Sequence, residues 1–118
     1  MTVQDSQPLS LVAHMAAALH WPEHIQLVPV ISNSMNPTLA VGDILAVDTQ
    51  QRELADGVYL IQVSDAQVIR RVQILPFNSN RVLLGCDNRL LCPFEEVDAE
   101  MLGKAVVGRA IFAEKRFV

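Results

Sequence analysis

The feature that most constrains the fold is a series of short β-branched runs, which begins after Pro22 and is interrupted at close intervals by turn residues. Alternation of this kind predicts short strands joined by tight connections. We expect strands near Gln26–Ile31, Ile44–Val47, Val58–Val63, Val68–Leu75, Arg81–Leu84 and Ala105–Ala113. Helical βαβ repeats are not seen. The pattern therefore predicts a mostly-β protein of folded, crossed antiparallel sheets.

One helix is expected before these strands. Residues 1–7 are polar and predict a flexible tail, whereas residues 8–118 predict a single domain with a leading helix over 8–20. Apolar side chains recur at every fourth position of that helix, at Leu11, Met15 and Leu19. Ser10 is placed to cap it, and Trp21-Pro22 ends it, because the residue before a proline avoids the α region.

Composition excludes several classes of protein. The chain has 118 residues and is 51% apolar, enough for one packed domain, and its net charge of −4 argues against binding nucleic acid by itself. No apolar run reaches 18 residues and no secretory leader is evident, so we expect a cytoplasmic protein without a membrane contact. Cys86 and Cys92 match neither a zinc spacing nor a disulfide scaffold, and they are expected to be reduced.

The most informative segment is Ser34-Met35-Asn36-Pro37-Thr38-Leu39, which is followed by Gly42-Asp43. A serine that leaves a strand and enters a proline-braced turn presents its hydroxyl from a stiff backbone, as a nucleophile requires. A structural alternative stays open, in which Ser34 caps a helical turn and Gly42-Asp43 forms the next turn.

The order of the later segments extends this motif. Asp56-Gly57 opens a strand, Ile69-Arg70-Arg71-Val72 lies in the next, and Asp87-Asn88 and Gly108-Arg109 follow. In this order the motifs resemble the self-cleaving serine peptidase domain of LexA, lambda-type phage repressors and the UmuD mutagenesis protein. The resemblance covers about Val28 to Phe112. The resemblance implies that Ser34 is the nucleophile. The supporting motif residues are Met35, Pro37, Gly42 and Asp43.

The resemblance also exposes two departures. The family's general base is a lysine in a strand reading aliphatic-Lys-Arg-aliphatic, and here Arg70 stands at that position. A guanidinium stays charged and offers no acceptor lone pair, so it is a poor base, and nothing in the sequence favours Lys104 instead. The family's scissile Ala-Gly or Cys-Gly is also absent, since residues 1–41 contain no glycine. We expect a degenerate dyad.

The resemblance implies a regulatory domain of a transcription regulator that forms dimers or higher homo-oligomers, with the strand Ala105–Ala113 as either the contact or core. DNA would be bound through a separate N-terminal domain or a partner. One alternative is an active self-cleaving peptidase of the SOS response, which would bring in RecA. Another is a hydrolase related to signal peptidase I, which shares Ser-Met-x-Pro-Thr-Leu and which Gly85-Cys86-Asp87-Asn88-Arg89 faintly resembles.

The remaining polar residues predict no further chemistry. His20 and His24 are four residues apart, but Pro22 lies between them and breaks the helical geometry that would make them metal ligands. Asp43 is expected to shape a turn, Asp48 to end a strand and Asp87-Asn88 to form a turn. No metal and no cofactor are expected.

Overall fold

The computed structural model describes residues 22–78 and 80–115, which contain seven strands and one helix. The predicted tail 1–7 and helix 8–20 lie outside the described residues. The mostly-β prediction is confirmed. The elements are β1 Ile25–Pro29, β2 Ile44–Asp48, β3 Gly57–Val63, β4 Ala66–Ile74, β5 Arg81–Gly85, β6 Glu95–Asp98, α1 Ala99–Ala105 and β7 Val106–Glu114.

The six predicted strands are found with ends shifted by one or two residues, whereas β6 and α1 were not predicted. Helix α1 has seven residues and a single buried side chain, Leu102, which is too little periodicity to detect. Asp98 caps it by accepting a hydrogen bond from the Met101 N–H at 2.9 Å. Ala105, expected to begin the last strand, is the final residue of this helix.

All seven described strands hydrogen-bond into one antiparallel sheet in the order β1-β2-β7-β3-β4-β5-β6, rather than into separate sheets. The last strand is therefore central and joins the two halves of the sheet. Its pairing with β2 shifts register between Ala46 and Val47, and that with β3 shifts between Leu60 and Ile61. Register shifts of this kind bend and twist a sheet locally.

The close contact between β7 and β2 depends on Gly108. A Cβ atom there would lie 2.5 Å from the Asp48 carbonyl oxygen and 2.8 Å from the Val47 side chain. Any larger residue would push the central strand away from its neighbour.

Two apolar clusters hold the sheet. One lies beneath the Ser34 turn and the other is covered by α1. Burying each large apolar side chain contributes about 1.5–3 kcal/mol to the free energy of folding. The buried members of the first are Val30, Met35, Leu39, Leu45, Val47, Leu60 and Cys86. Those of the second are Tyr59, Ile61, Val72, Val82, Leu102 and Val106.

Candidate active site

Ser34 lies in a turn that follows β1 and is anchored by its neighbour. Met35 is only 1% exposed and sits in the first apolar cluster. Backbone hydrogen bonds close the turn, from the Asn36 N–H to the Asn33 carbonyl at 3.1 Å and from the Leu39 N–H to the Met35 carbonyl at 2.9 Å. The buried methionine thus fixes the backbone while the serine side chain remains accessible.

Gly42 and Asp43 form a turn after the segment Ser34–Leu39, as predicted. Gly42 has a φ of 99°, which favours glycine, and its N–H donates to the Val30 carbonyl at 3.0 Å. Asp43 is 2% exposed, and its Oδ2 accepts from the Ala40 N–H at 2.9 Å and from Lys115 Nζ at 3.0 Å. The buried carboxylate of Asp43 therefore stabilises the turn by accepting a hydrogen bond from its backbone.

The structure brings Arg70 of β4 to Ser34. The guanidinium Nη1 donates a long hydrogen bond to Ser34 Oγ at 3.5 Å and a shorter one to the carbonyl of Ile69 at 2.8 Å. Burial lowers the pKa of Arg70 from its usual range. A guanidinium nevertheless remains protonated in proteins, so Arg70 gives Ser34 a hydrogen-bond donor and no lone pair that could take the serine proton.

Ser32 is a site residue that the sequence reasoning missed. Its Oγ lies 2.9 Å from Ser34 Oγ, with either hydroxyl as the donor, and it accepts from the Ser34 N–H at 3.3 Å. Its position two residues before Ser34 was the only sequence signal. The Ser34 oxygen thus lies between a second hydroxyl and a cation.

Both lysines of the chain form ion pairs with carboxylates. Lys104 Nζ lies 3.9 Å from Glu100 on the surface of α1 and its side chain is 77% exposed. Lys115 Nζ contacts Asp43 and the carbonyl oxygen of Thr38. A lysine becomes a base at neutral pH when it is desolvated and unpaired, and neither of these is.

The loop between β5 and β6 clamps the Ser34 turn. Asn88 donates through its N–H to the Ser34 carbonyl at 3.0 Å and through Nδ2 to the Asn33 carbonyl at 3.1 Å. The sequence analysis predicted only a turn at Asp87-Asn88, and this contact was missed because the two segments lie more than 50 residues apart.

Asp87 links the same loop to β4. Its carboxylate accepts two hydrogen bonds from Arg71, from Nε at 2.6 Å and from Nη2 at 2.9 Å, and another from the hydroxyl of Thr38. The hydrogen bond from Arg71 is the main cause that lowers the pKa of Asp87, and the hydrogen bond from Thr38 adds to it. Hydrogen bonding to Asp87 likewise raises the pKa of Arg71.

A disulfide closes this loop and corrects the expectation of reduced cysteines. Cys86 and Cys92 are bonded, with their Cα atoms 5.4 Å apart, a normal separation for such a bond. The chain doubles back between them, and the Cys86 N–H donates to the Cys92 carbonyl at 3.3 Å. The spacing of the two cysteines did not indicate this bond, because a tight turn, rather than a scaffold of several bridges, brings them together.

A cleft of about 370 Å³ opens beside Ser34. One wall is the end of β1 with the residues that follow it, and the other is the first half of β4. Gln26 and Gln67 approach each other across these strands, with Nε2 to Oε1 at 3.4 Å. Eight apolar residues line the cleft, namely Val28, Pro29, Val30, Ile31, Met35, Leu60, Val68 and Ile69.

Other predicted residues lie apart from this site. His24 Nε2 lies 3.9 Å from Asp48, which ends β2 as expected, whereas His20 is outside the described residues. Within residues 22–78 and 80–115, no group of three or more His, Cys, Asp or Glu side chains is arranged to hold a metal ion. In the same part of the chain, no helix has the length and apolar character needed to cross a bilayer.

The fold and the Ser34 turn define a β-rich domain with the serine motif of a peptidase. The family model described as Peptidase S24-like matches residues 4–110, and the chain belongs to that family. This confirms the resemblance to the LexA, phage repressor and UmuD domains. No curated protein matched the chain.

Proposed function

We propose that this chain is a regulatory S24-type domain whose peptidase site has lost its general base. The observation that carries the proposal is the pairing of Ser34 with Arg70, whose Nη1 lies 3.5 Å from the serine oxygen. Attack on a peptide bond requires the serine proton to move to a base, and a protonated guanidinium has no lone pair to receive it. Ser34 is the nucleophile position and Arg70 replaces the base.

The contacts of the two lysines support this proposal. Because Lys104 and Lys115 are each paired with a carboxylate, neither replaces the missing base in this arrangement. The turn itself is well built, since Met35 is buried and Asn88 holds the Ser34 carbonyl. The contacts that position Ser34 as a nucleophile are therefore present, and the general base that would activate it is what we propose has been lost.

Self-association is the second part of the proposal. Strand β7 pairs with β3 up to Arg109 and with β2 up to Glu114, so β2 is the one described strand that pairs with its last residues. Ile111 and Phe112 are 44% and 46% exposed on this part of the strand. The first half of β7 is core, with Val106 1% exposed, and the second half is the proposed contact between two copies.

Dimers or higher homo-oligomers would affect DNA binding without this domain touching DNA. Joining two DNA-binding domains raises the effective concentration of the second after the first has bound. We place the DNA-binding unit in a separate N-terminal domain or in a partner, and the protein in the cytoplasm, where a disulfide such as Cys86–Cys92 is uncommon. A role for RecA belongs only to the alternative of an active SOS-type peptidase, and the signal-peptidase-like alternative is disfavoured because it also needs a lysine.

A peptide assay tests the loss of the base. A synthetic peptide with a central Ala-Gly bond is incubated at pH 7 and pH 10 with the wild type, Ser34→Ala, Arg70→Lys and the double variant Arg70→Lys/Ser34→Ala, and products are read by mass spectrometry. We expect cleavage by Arg70→Lys alone, increasing with pH as the lysine amine becomes neutral.

Two outcomes contradict the proposal. Cleavage by the wild type that is abolished by Ser34→Ala would show that the site has a working base. A folded Arg70→Lys variant without cleavage would show that more than the base has been lost.

A further inference from the structure

The cleft beside Ser34 ends at a cation that has no carboxylate partner among the described residues. Among the described residues, Arg70 donates only to a hydroxyl and to a backbone carbonyl, whereas its neighbour Arg71 is held by both oxygens of Asp87. A partly desolvated charge without a counter-ion is unfavourable, and most of the guanidinium N–H groups remain available to an anion.

The walls of the cleft favour an extended polypeptide. Among the described strands, β1 pairs with β2 alone, and residues 66–70 of β4 pair with β3 alone, because β5 pairs from Arg71 onward. Within the described part of the chain, each wall thus presents a strand edge that no further strand pairs, and on the β4 wall the Ile69 carbonyl already accepts a hydrogen bond from Arg70. A strand that enters between such edges gains backbone hydrogen bonds, while alternate side chains enter the apolar lining.

The end of the cleft is suited to a carboxylate. The hydroxyls of Ser32 and Ser34 lie 2.9 Å apart, and Arg70 Nη1 lies 3.5 Å from the second of them. A guanidinium binds a carboxylate through two parallel N–H···O bonds, and a hydroxyl adds a further donor. A neutral peptide bond in mid-chain would leave the cation without a counter-ion.

We propose that the cleft is a binding site for the free C-terminal carboxylate of an extended apolar peptide, with Arg70 as the main anchor and Ser32 and Ser34 as hydroxyl donors. The inference rests on the proposed function, since Arg70 can hold a ligand carboxylate only if it does not serve as the base of a peptidase. The occupant is the C-terminal end of a partner protein, and not a bare anion.

The test compares two fluorescein-labelled hexapeptides of sequence Gly-Val-Val-Ala-Val-Ala, one with a free C-terminal carboxylate and the other with a C-terminal amide. Binding to the wild-type protein is followed by fluorescence anisotropy. We expect the acid to bind at least about tenfold more tightly than the amide, as for a hydrogen-bonded ion pair. This comparison needs no variant, so it does not depend on a mutant folding.

Two variants assign the preference to a residue. Arg70→Gln is expected to abolish the difference between acid and amide. The matched control Arg81→Gln removes an exposed arginine of β5 that is paired with Glu96, and is expected to leave the difference unchanged. Sodium acetate added at the dissociation constant of the peptide acid is expected to displace little of it, because acetate makes no contacts along the walls.

Equal binding of acid and amide, or no binding of either, would overturn the inference. Displacement by acetate at that same concentration would also overturn it, because the walls would then contribute nothing. Mass spectrometry of the recovered peptide separates the two proposals. A shortened peptide would refute the loss of cleavage, whereas an intact peptide bound without preference would refute only the carboxylate site.

Discussion

At the residue scale, the site is defined by which side chains meet Ser34. Arg70 and Ser32 contact its oxygen, and Asn88 contacts its carbonyl. The sequence pointed to Ser34 and Arg70 through the order of the motifs. It did not point to Ser32 or Asn88, because a contact made through space by a loop leaves no periodic signal in the chain.

The pair formed by Arg71 and Asp87 predicts a pH dependence of stability. The pKa of Asp87 is lowered mainly by its hydrogen bond with Arg71, so its carboxylate stabilises the fold above the usual Asp pKa of about 4. This stability is lost as the pH falls through the lower value of the folded state. We expect Asp87→Asn to reduce the free energy of unfolding by about 2 kcal/mol at pH 7.

Urea denaturation of both proteins between pH 7 and pH 2 measures this effect. The difference between wild type and Asp87→Asn is expected to shrink below about pH 4, because the carboxyl is then protonated in the unfolded chain and, at still lower pH, in the folded protein. Asp65→Asn, in the exposed turn between β3 and β4, serves as the control and should change little. A difference for Asp87→Asn that stays constant down to pH 2 would rule out the electrostatic explanation.

At the element scale, six of the seven described strands could be predicted from the sequence. Strand β6, helix α1 and the disulfide could not. Apolar and β-branched runs made β1 to β5 and β7 visible, because their side chains fill the core. Segment Glu95–Ala105 was missed because β6 begins with two exposed glutamates and α1 buries only Leu102. The disulfide was missed because two cysteines without further pairs do not specify a bridge.

The disulfide between Cys86 and Cys92 gives a prediction for the loop that carries Asn88. Closing a loop of this length lowers the entropy of the unfolded chain and stabilises the fold by roughly 2 kcal/mol. Cys86→Ser and Cys92→Ser should each lose about that amount in urea denaturation, and wild type with reductant should match them. Reductant should leave both variants unchanged. Recovery of two alkylatable thiols from unreduced, denatured wild type would contradict the bond.

At the scale of the whole molecule, the central position of β7 separates its two roles. Its first half joins β2 and β3, and its second half leaves Ile111 and Phe112 exposed. The sequence could not decide between core and contact for this strand, since strand order is set by long-range pairing. The structure assigns the core role to the first half and leaves the contact as a proposal for the second.

Sedimentation equilibrium tests self-association. The double variant Ile111→Glu/Phe112→Glu places two charges on the proposed contact and is expected to weaken the dimer at least about tenfold. Phe77→Glu is the matched control, because Phe77 is fully exposed in the turn after β4 and lies outside β7. A dimer that is unaffected by the double variant, or equally weakened by the control, would exclude this surface.

The central claim is that Ser34 lacks a base because Arg70 replaces the lysine, and covalent labelling of Ser34 tests it most directly. Wild type, Arg70→Lys and Ser34→Ala are treated with a fluorophosphonate probe at pH 7 and pH 10, and the adduct is measured by intact mass. We expect an adduct on Arg70→Lys, formed faster at pH 10, and none on the other two proteins. An adduct at Ser34 of the wild type would contradict it.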